Sequence, residues 1–124
     1  MKIHHVAIIA SDYARSKDFY TRILGLEIIR ETHRVERQSY KLDLKLGDAQ
    51  IELFSFPNPP PRPSRPEARG LRHLCLAVAD LDKMRADLLG HGLELEEVRL
   101  DLTTGKRFFF FQDPDELPLE VYEE

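Results

Sequence analysis

The chain has one cysteine, two methionines, no tryptophan and no surplus of positive charge. A single cysteine rules out an intrachain disulfide framework. Because Cys75 lies inside the apolar run Leu74-Cys75-Leu76-Ala77-Val78, it is expected to be a small buried hydrophobe, as free cysteines usually are. The net charge of −4 and the lack of a long basic run argue against a nucleic-acid surface. Arg62, Arg65, Arg69 and Arg72 still form a local cluster suited to a small anion. No apolar run is long enough to span a bilayer, and Met1 leads straight into a strand pattern rather than a signal peptide. A cytoplasmic protein with no membrane partner is therefore expected, and 124 residues suffice for one domain with its own core.

What the chain does have is an internal repeat. Ile3-His4-His5-Val6-Ala7-Ile8-Ile9-Ala10-Ser11-Asp12 aligns with Leu71-Arg72-His73-Leu74-Cys75-Leu76-Ala77-Val78-Ala79-Asp80 at a shift of 68 positions. Both segments place a histidine third, run apolar and end in aspartate. At the same shift Gln50-Ile51-Glu52-Leu53-Phe54 meets Pro118-Leu119-Glu120-Val121-Tyr122, putting one glutamate inside each closing strand. Leu24-Gly25-Leu26-Glu27-Ile28 also matches His91-Gly92-Leu93-Glu94-Leu95, each glycine standing where a helix must stop.

Each copy reads as βαβββ, an α+β arrangement. In the first, a strand over Ile3–Ile9 is followed by a helix capped by Ser11 or Asp12 and running to about Leu24. Strands near Leu26–His33, Ser39–Leu46 and Gln50–Phe56 follow, the last two joined at Gly47-Asp48. In the second, a strand over Leu71–Ala79 precedes a helix capped by Asp80, then strands near Glu94–Asp101, Arg107–Gln112 and Leu117–Tyr122. The expected organisation is a single domain over 1–124, with module 1 at 1–56, a connector at 57–70 and module 2 at 71–124. The connector carries six of the eight prolines, which makes it a stiff spacer outside the sheets.

The repeat separates the adjacent histidines His4 and His5. His4 corresponds to Arg72 and is expected at the rim, whereas His5 corresponds to His73 and is the recurring feature. Glu52 and Glu120 each sit between apolar residues, where an unpaired carboxylate would destabilise the fold by several kcal/mol or lose its charge. Two imidazoles and two carboxylates at equivalent places are natural partners, and one divalent cation bound by His5, Glu52, His73 and Glu120 would satisfy all four. That donor set suits Ni²⁺, Co²⁺, Zn²⁺, Mn²⁺ or Fe²⁺ and leaves open positions for a small-molecule substrate. His33 and His91 have no such counterpart and are expected to be exposed.

Taken together, His5, Ser16-Lys17-Asp18-Phe19-Tyr20, Leu24-Gly25-Leu26, Ile51-Glu52-Leu53, Gly70-Leu71-Arg72-His73 and Asp113-Pro114-Asp115 before Leu119-Glu120 resemble the vicinal oxygen chelate superfamily, in its glyoxalase I-like branch. The resemblance implies two tandem βαβββ modules forming a U-shaped mixed sheet, often in a homodimer. It implies His5, Glu52, His73 and Glu120 as metal ligands. It also implies a lactoylglutathione lyase-like activity on methylglyoxal or a similar α-oxo aldehyde carried as a thiol hemithioacetal. Glu120 would take the carbon-bound proton and return it to the neighbouring carbon, with Glu52 able to share that work. Arg69 matches an anion-binding arginine of the family, and Lys106 lies where a loop closes over the glycyl carboxylate of glutathione.

Three positions depart from that branch. Ile9 and Phe56 stand where glyoxalase I carries an arginine and an asparagine that hold glutathione, so the thiol carrier is left open. Glu116 stands where the family usually has glycine, and in a left-handed conformation it would cost roughly 1 to 2 kcal/mol. The same resemblance leaves two alternatives: another metalloenzyme of the superfamily, such as a thiol transferase or a dioxygenase, or a non-catalytic small-molecule binding protein. A ligand at position 52 disfavours extradiol dioxygenases, and a complete ligand set disfavours bleomycin-binding relatives.

Overall fold

The alternation of side chains along each strand decides what faces the core. The computed structural model describes residues 1–124 and divides into two compact units, Met1–Pro61 and Arg62–Glu124. In the first unit, strand β1 (His5–Ala10) is followed by helix α1 (Tyr13–Asp18), a π-helical turn (Phe19–Ile23), β2 (Ile28–Arg34), a short 3₁₀ turn (Val35–Arg37), β3 (Ser39–Leu46) and β4 (Ala49–Ser55). Its sheet has the order β1-β4-β3-β2, with β1 parallel to β4 and the other pairs antiparallel. Ile8 and Ala10 of β1, Leu42 and Leu44 of β3, and Ile51 and Leu53 of β4 are buried together with Phe19 and Tyr20.

Asp12 starts α1 as expected, its carboxylate accepting the Arg15 amide at 3.1 Å. The helix then widens into the π turn, where the Leu24 amide reaches back five residues to the Phe19 carbonyl at 3.0 Å. That wider turn accommodates two adjacent aromatic side chains, Phe19 and Tyr20, which are both buried. Gly25 follows at φ +72° and Gly92 ends the second unit's helix at φ +78°, a backbone region in which a Cβ is strained.

The second unit repeats the plan with β5 (Leu74–Val78), α2 (Leu81–Gly90), β6 (Arg99–Leu100), β7 (Arg107–Gln112) and β8 (Pro118–Glu123), in the sheet order β5-β8-β7-β6. Asp80 caps α2 through a 2.9 Å bond from the Lys83 amide. Leu81 and Leu88 of α2 are buried, as are Phe109, Phe111, Leu119 and Val121 from the inner faces of β7 and β8. No helix is long and apolar enough to cross a membrane.

Two expectations need correction. The strand expected over Glu94–Asp101 shrinks to Arg99–Leu100. Before it the chain keeps only an isolated bond to β7, from the Glu96 amide to the Phe110 carbonyl at 2.9 Å, while the Glu96 carbonyl accepts from Arg85. Glu94, Glu96 and Glu97 lie on this sheet edge, where charge commonly blunts strand pairing. Cys75, expected to be buried, is exposed. The apolar run Leu74–Val78 is a strand with two unlike faces, and Cys75 falls on the outward one together with Ala77.

The turn joining β7 to β8 retains its left-handed residue. Glu116 has φ +65°, and the carboxylate of buried Asp113 accepts the Asp115 and Leu117 amides, each at 2.9 Å. Since Asp113 holds the backbone in this shape, replacing Glu116 by glycine relieves strain without losing the turn. Glu116→Gly is expected to stabilise the protein by about 1 kcal/mol after the entropy of the freer unfolded chain is counted, raising Tm by roughly 4 °C. A thermal melt showing no gain would mean that the left-handed residue carries no strain.

Candidate functional site

Parallel pairing of the first and last strands of each unit brings the repeated histidine and glutamate together. In the first unit Ala7 lies beside Glu52, and His5, two residues earlier, projects from the same face. In the second, Cys75 lies beside Glu120 in the same relative register, with His73 two residues earlier. The resulting pairs place His5 Nε2 3.5 Å from Glu52 Oε2 and His73 Nε2 3.0 Å from Glu120 Oε2. Both carboxylates are mostly covered, at 13% and 12% side-chain exposure, so their partners matter energetically.

The other ring nitrogen of each histidine meets the residue that precedes it. His5 Nδ1 lies 2.8 Å from His4 Nδ1, and His73 Nδ1 lies 3.0 Å from Arg72 Nη1. His4 is exposed, as expected, but it touches the site rather than standing apart from it. An arginine can only donate, so His73 accepts at Nδ1 and a neutral ring carries its proton on Nε2, facing Glu120. The His73 ring also meets Phe110 edge to face, with centroids 5.1 Å apart.

Glu52 has a partner the repeat does not announce. Lys41 Nζ is 3.0 Å from Glu52 Oε1 and 3.3 Å from Asp43 Oδ1, and Arg30 Nε reaches Asp43 Oδ2 at 3.5 Å. The hydrogen bond to Glu52, and after it the contact with Asp43, hold the Lys41 ammonium above its ordinary range against the opposing effect of burial. Asp43 is buried directly across from Glu52 in the ladder, an arrangement of like charges that needs the lysine between them. The signal for this was present in the Gly47-Asp48 turn. A two-residue hairpin counted back from that turn pairs Asp43 with Glu52 and places Lys41 on the same face.

In the second unit Cys75 takes the place that Ala7 holds in the first. Although the residue is exposed, partial desolvation of its sulfur, then the negative charge of Glu120 and a hydrogen bond to it, push the Cys75 thiol up to about 11. It is therefore a protonated thiol at neutral pH and a poor nucleophile. Phe108, Phe110 and Tyr122 line the same face, and Arg99 lies over both phenylalanine rings at 5.0 and 5.4 Å.

The remaining candidates are placed as follows. Arg69 is exposed in the segment before β5. The Lys106 ammonium donates to the Glu124 carbonyl at 2.6 Å, at the end of β8. The arginine cluster does not act as one group, because Arg62 bonds to the Leu71 carbonyl at 2.7 Å while Arg72 turns to His73 and to Glu67. His33 and His91 are exposed, and His33 stacks on Tyr40.

Neither unit by itself gathers three or more His, Cys, Asp or Glu side chains in metal-holding range; each brings one imidazole and one carboxylate. That chemistry offers one nitrogen and one oxygen donor suited to a borderline divalent cation in each unit.

Comparison with known proteins finds relatives over nearly the whole chain. The chain is 60% identical over 123 residues to the uncharacterized protein YwkD of Bacillus subtilis, covering 98% of this chain and 96% of that one. It is 56% identical over 124 residues to the uncharacterized protein YaeR of Escherichia coli, covering 99% and 96%. Among solved structures, a glyoxalase family protein from Enterococcus faecalis is 51% identical, with a TM-score of 0.90 and coverage of 98% and 97%. Residues 2–121 match the profile of the Glyoxalase/Bleomycin resistance protein/Dioxygenase superfamily, and the chain belongs to that superfamily.

Proposed function

We propose that the chain is a divalent-metal-dependent isomerase or lyase of the glyoxalase I type, acting on a small α-oxo aldehyde or its thiol hemithioacetal. His5, Glu52, His73 and Glu120 are the proposed ligands of one metal ion. The observation that carries this reading is that each unit sets a histidine and a partly buried glutamate on one sheet face in the same register. Such doubling has no structural necessity, since a strand is equally stable with apolar residues there. When bound, a divalent ion of the Ni²⁺, Co²⁺, Zn²⁺, Mn²⁺ or Fe²⁺ type supplies Lewis acidity toward substrate oxygens.

The residues themselves divide the remaining work. Glu120 is the proposed base, taking a proton from the substrate carbon and returning it to the adjacent carbon. Glu52 is less free to move, because Lys41 holds one of its oxygens. Glu120 meets the His73 ring and the Cys75 thiol, and no lysine or arginine forms an ion pair with it. For His73 to offer the Nε2 lone pair to a metal, its proton must sit on Nδ1, and Arg72 must then give up its contact there. Arg69 and Lys106 are proposed to meet an anionic part of the substrate or of a thiol carrier such as glutathione. A homodimer belongs to the same reading, and light scattering tests it.

Metal analysis of the purified protein followed by nickel, cobalt and zinc titration is the first test, with one ion per chain expected. The loaded protein is then assayed on methylglyoxal with and without glutathione, where isomerisation is expected. Stoichiometric metal without turnover would keep the site and discard the substrate; no metal would discard the reading.

A further inference from the structure

The first unit holds a guanidinium that packs on two aromatic rings and meets no carboxylate. On the sheet face shared by His5 and Glu52, Asp43 is taken by Arg30 and Lys41, and Glu52 by Lys41 and His5. Arg34, at the end of β2 and paired with Ser39, lies on that same face. Its guanidinium carbon is 5.1 Å from the centre of the Phe54 ring and 5.8 Å from that of Phe56. The Nε and Nη2 atoms are buried with no hydrogen-bond partner.

Packing alone does not explain this arrangement. A cation over an aromatic face contributes about 0.5 to 2 kcal/mol, whereas each polar group buried without a partner costs about 1 to 3 kcal/mol. Two such N–H groups on one guanidinium leave a deficit, and unsatisfied groups of this kind in native proteins call for a ligand or a functional reason. A methionine or leucine would cover Phe54 and Phe56 at no such cost. Phe54 is one same-face step from Glu52, about 7 Å along the strand. An anionic group over Phe54 and Phe56 would therefore lie within the length of a small molecule that also reaches His5 and Glu52.

We propose that Arg34, seated on Phe54 and Phe56, is a binding residue for a carboxylate carried by the substrate some 7 Å from the reacting end. This deepens the function proposed above by naming the substrate class: a small α-oxo compound with a carboxylate tail rather than a neutral one. Contact with the two rings and burial of Nε and Nη2 place the guanidinium in a setting of low polarity, where a carboxylate is met more strongly than in water.

The test is binding by metal-free full-length protein, which separates it from the metal reading. Glutarate, a flexible dicarboxylate, and glutaramide, its neutral counterpart of the same shape, are titrated while NMR follows the Arg34 Nε–H and the Phe54–Phe56 amides. Glutarate is expected to shift these signals saturably and glutaramide is not. Arg34→Gln is expected to weaken glutarate binding by about 10-fold or more, and Arg34→Lys by less. Equal binding of the two probes, equal binding by Arg34→Gln, or no saturable shift at these signals overturns the proposal. Should Arg34→Gln fail to fold, the two probes on the unaltered protein decide. Failure of nickel to bind would count against the proposed function while leaving the glutarate result intact.

Discussion

Glu120→Gln is expected to lower turnover of the methylglyoxal hemithioacetal by about 10²- to 10⁴-fold, the range that a positioned acid–base group contributes. The substitution keeps the side chain's shape, so the strand pair β5–β8 and the contact with His73 remain sterically possible. What is lost is an oxygen able to take a proton and one anionic metal donor. Nickel affinity should fall as well, by more than the roughly 10- to 100-fold typical of losing a group that only supports a ligand. Initial rates, nickel titration and a thermal melt on the same preparation separate these effects. The parallel change Glu52→Gln should weaken metal binding comparably but spare more turnover, because Lys41 already restrains Glu52. If Glu120→Gln retains activity within tenfold of the unaltered protein, Glu120 is not the base.

Phe109→Ala is expected to cost about 3 to 5 kcal/mol, the usual cost of emptying an aromatic site in a closed core. Phe109 is fully buried, pairs with Val121 across the ladder, and carries the Arg85 guanidinium over its ring at 5.1 Å. The unit has few other large side chains to fill the space, its core being Leu81, Leu88, Phe111, Leu117, Leu119 and Val121. Since a small domain has only about 5 to 15 kcal/mol in hand, this single change should leave the protein marginal. Its neighbours provide the control. Phe108 and Phe110 lie on the opposite face with intermediate exposure, so alanine there should cost much less stability, while Phe110→Ala removes the edge contact on His73. Urea denaturation of the three variants reads the contrast, and equal losses would contradict the assigned faces.

How much could be read in advance follows from the kind of signal each feature leaves. The repeat exposed both His/Glu pairs because a common shift of 68 positions survives whatever the local sequence does. Register then follows, since parallel strands of the same module plan must pair in the same way. The caps at Asp12 and Asp80 were legible because one side chain and one nearby amide suffice to make them. Lys41 and Asp43 were legible in principle through the Gly47-Asp48 hairpin, though only once pairing was counted residue by residue.

Other features left no such mark. Leu74–Val78 is apolar on both faces, so periodicity could not say that Cys75 points outward beside Glu120. The short β6 reflects competition between pairing and charge at an edge, which depends on what lies alongside. Arg34 belongs to no motif of the sequence, and its setting comes from two phenylalanines some twenty residues later, against which two of its nitrogens are buried without a partner. The sequence by itself determined the module, its duplication and the His/Glu pair in each copy, because these rest on local periodicity and fixed spacing. Only the tertiary structure decided which side chains answer those charges and which guanidinium is buried without a partner, because burial and ion pairing are set by neighbours distant along the chain.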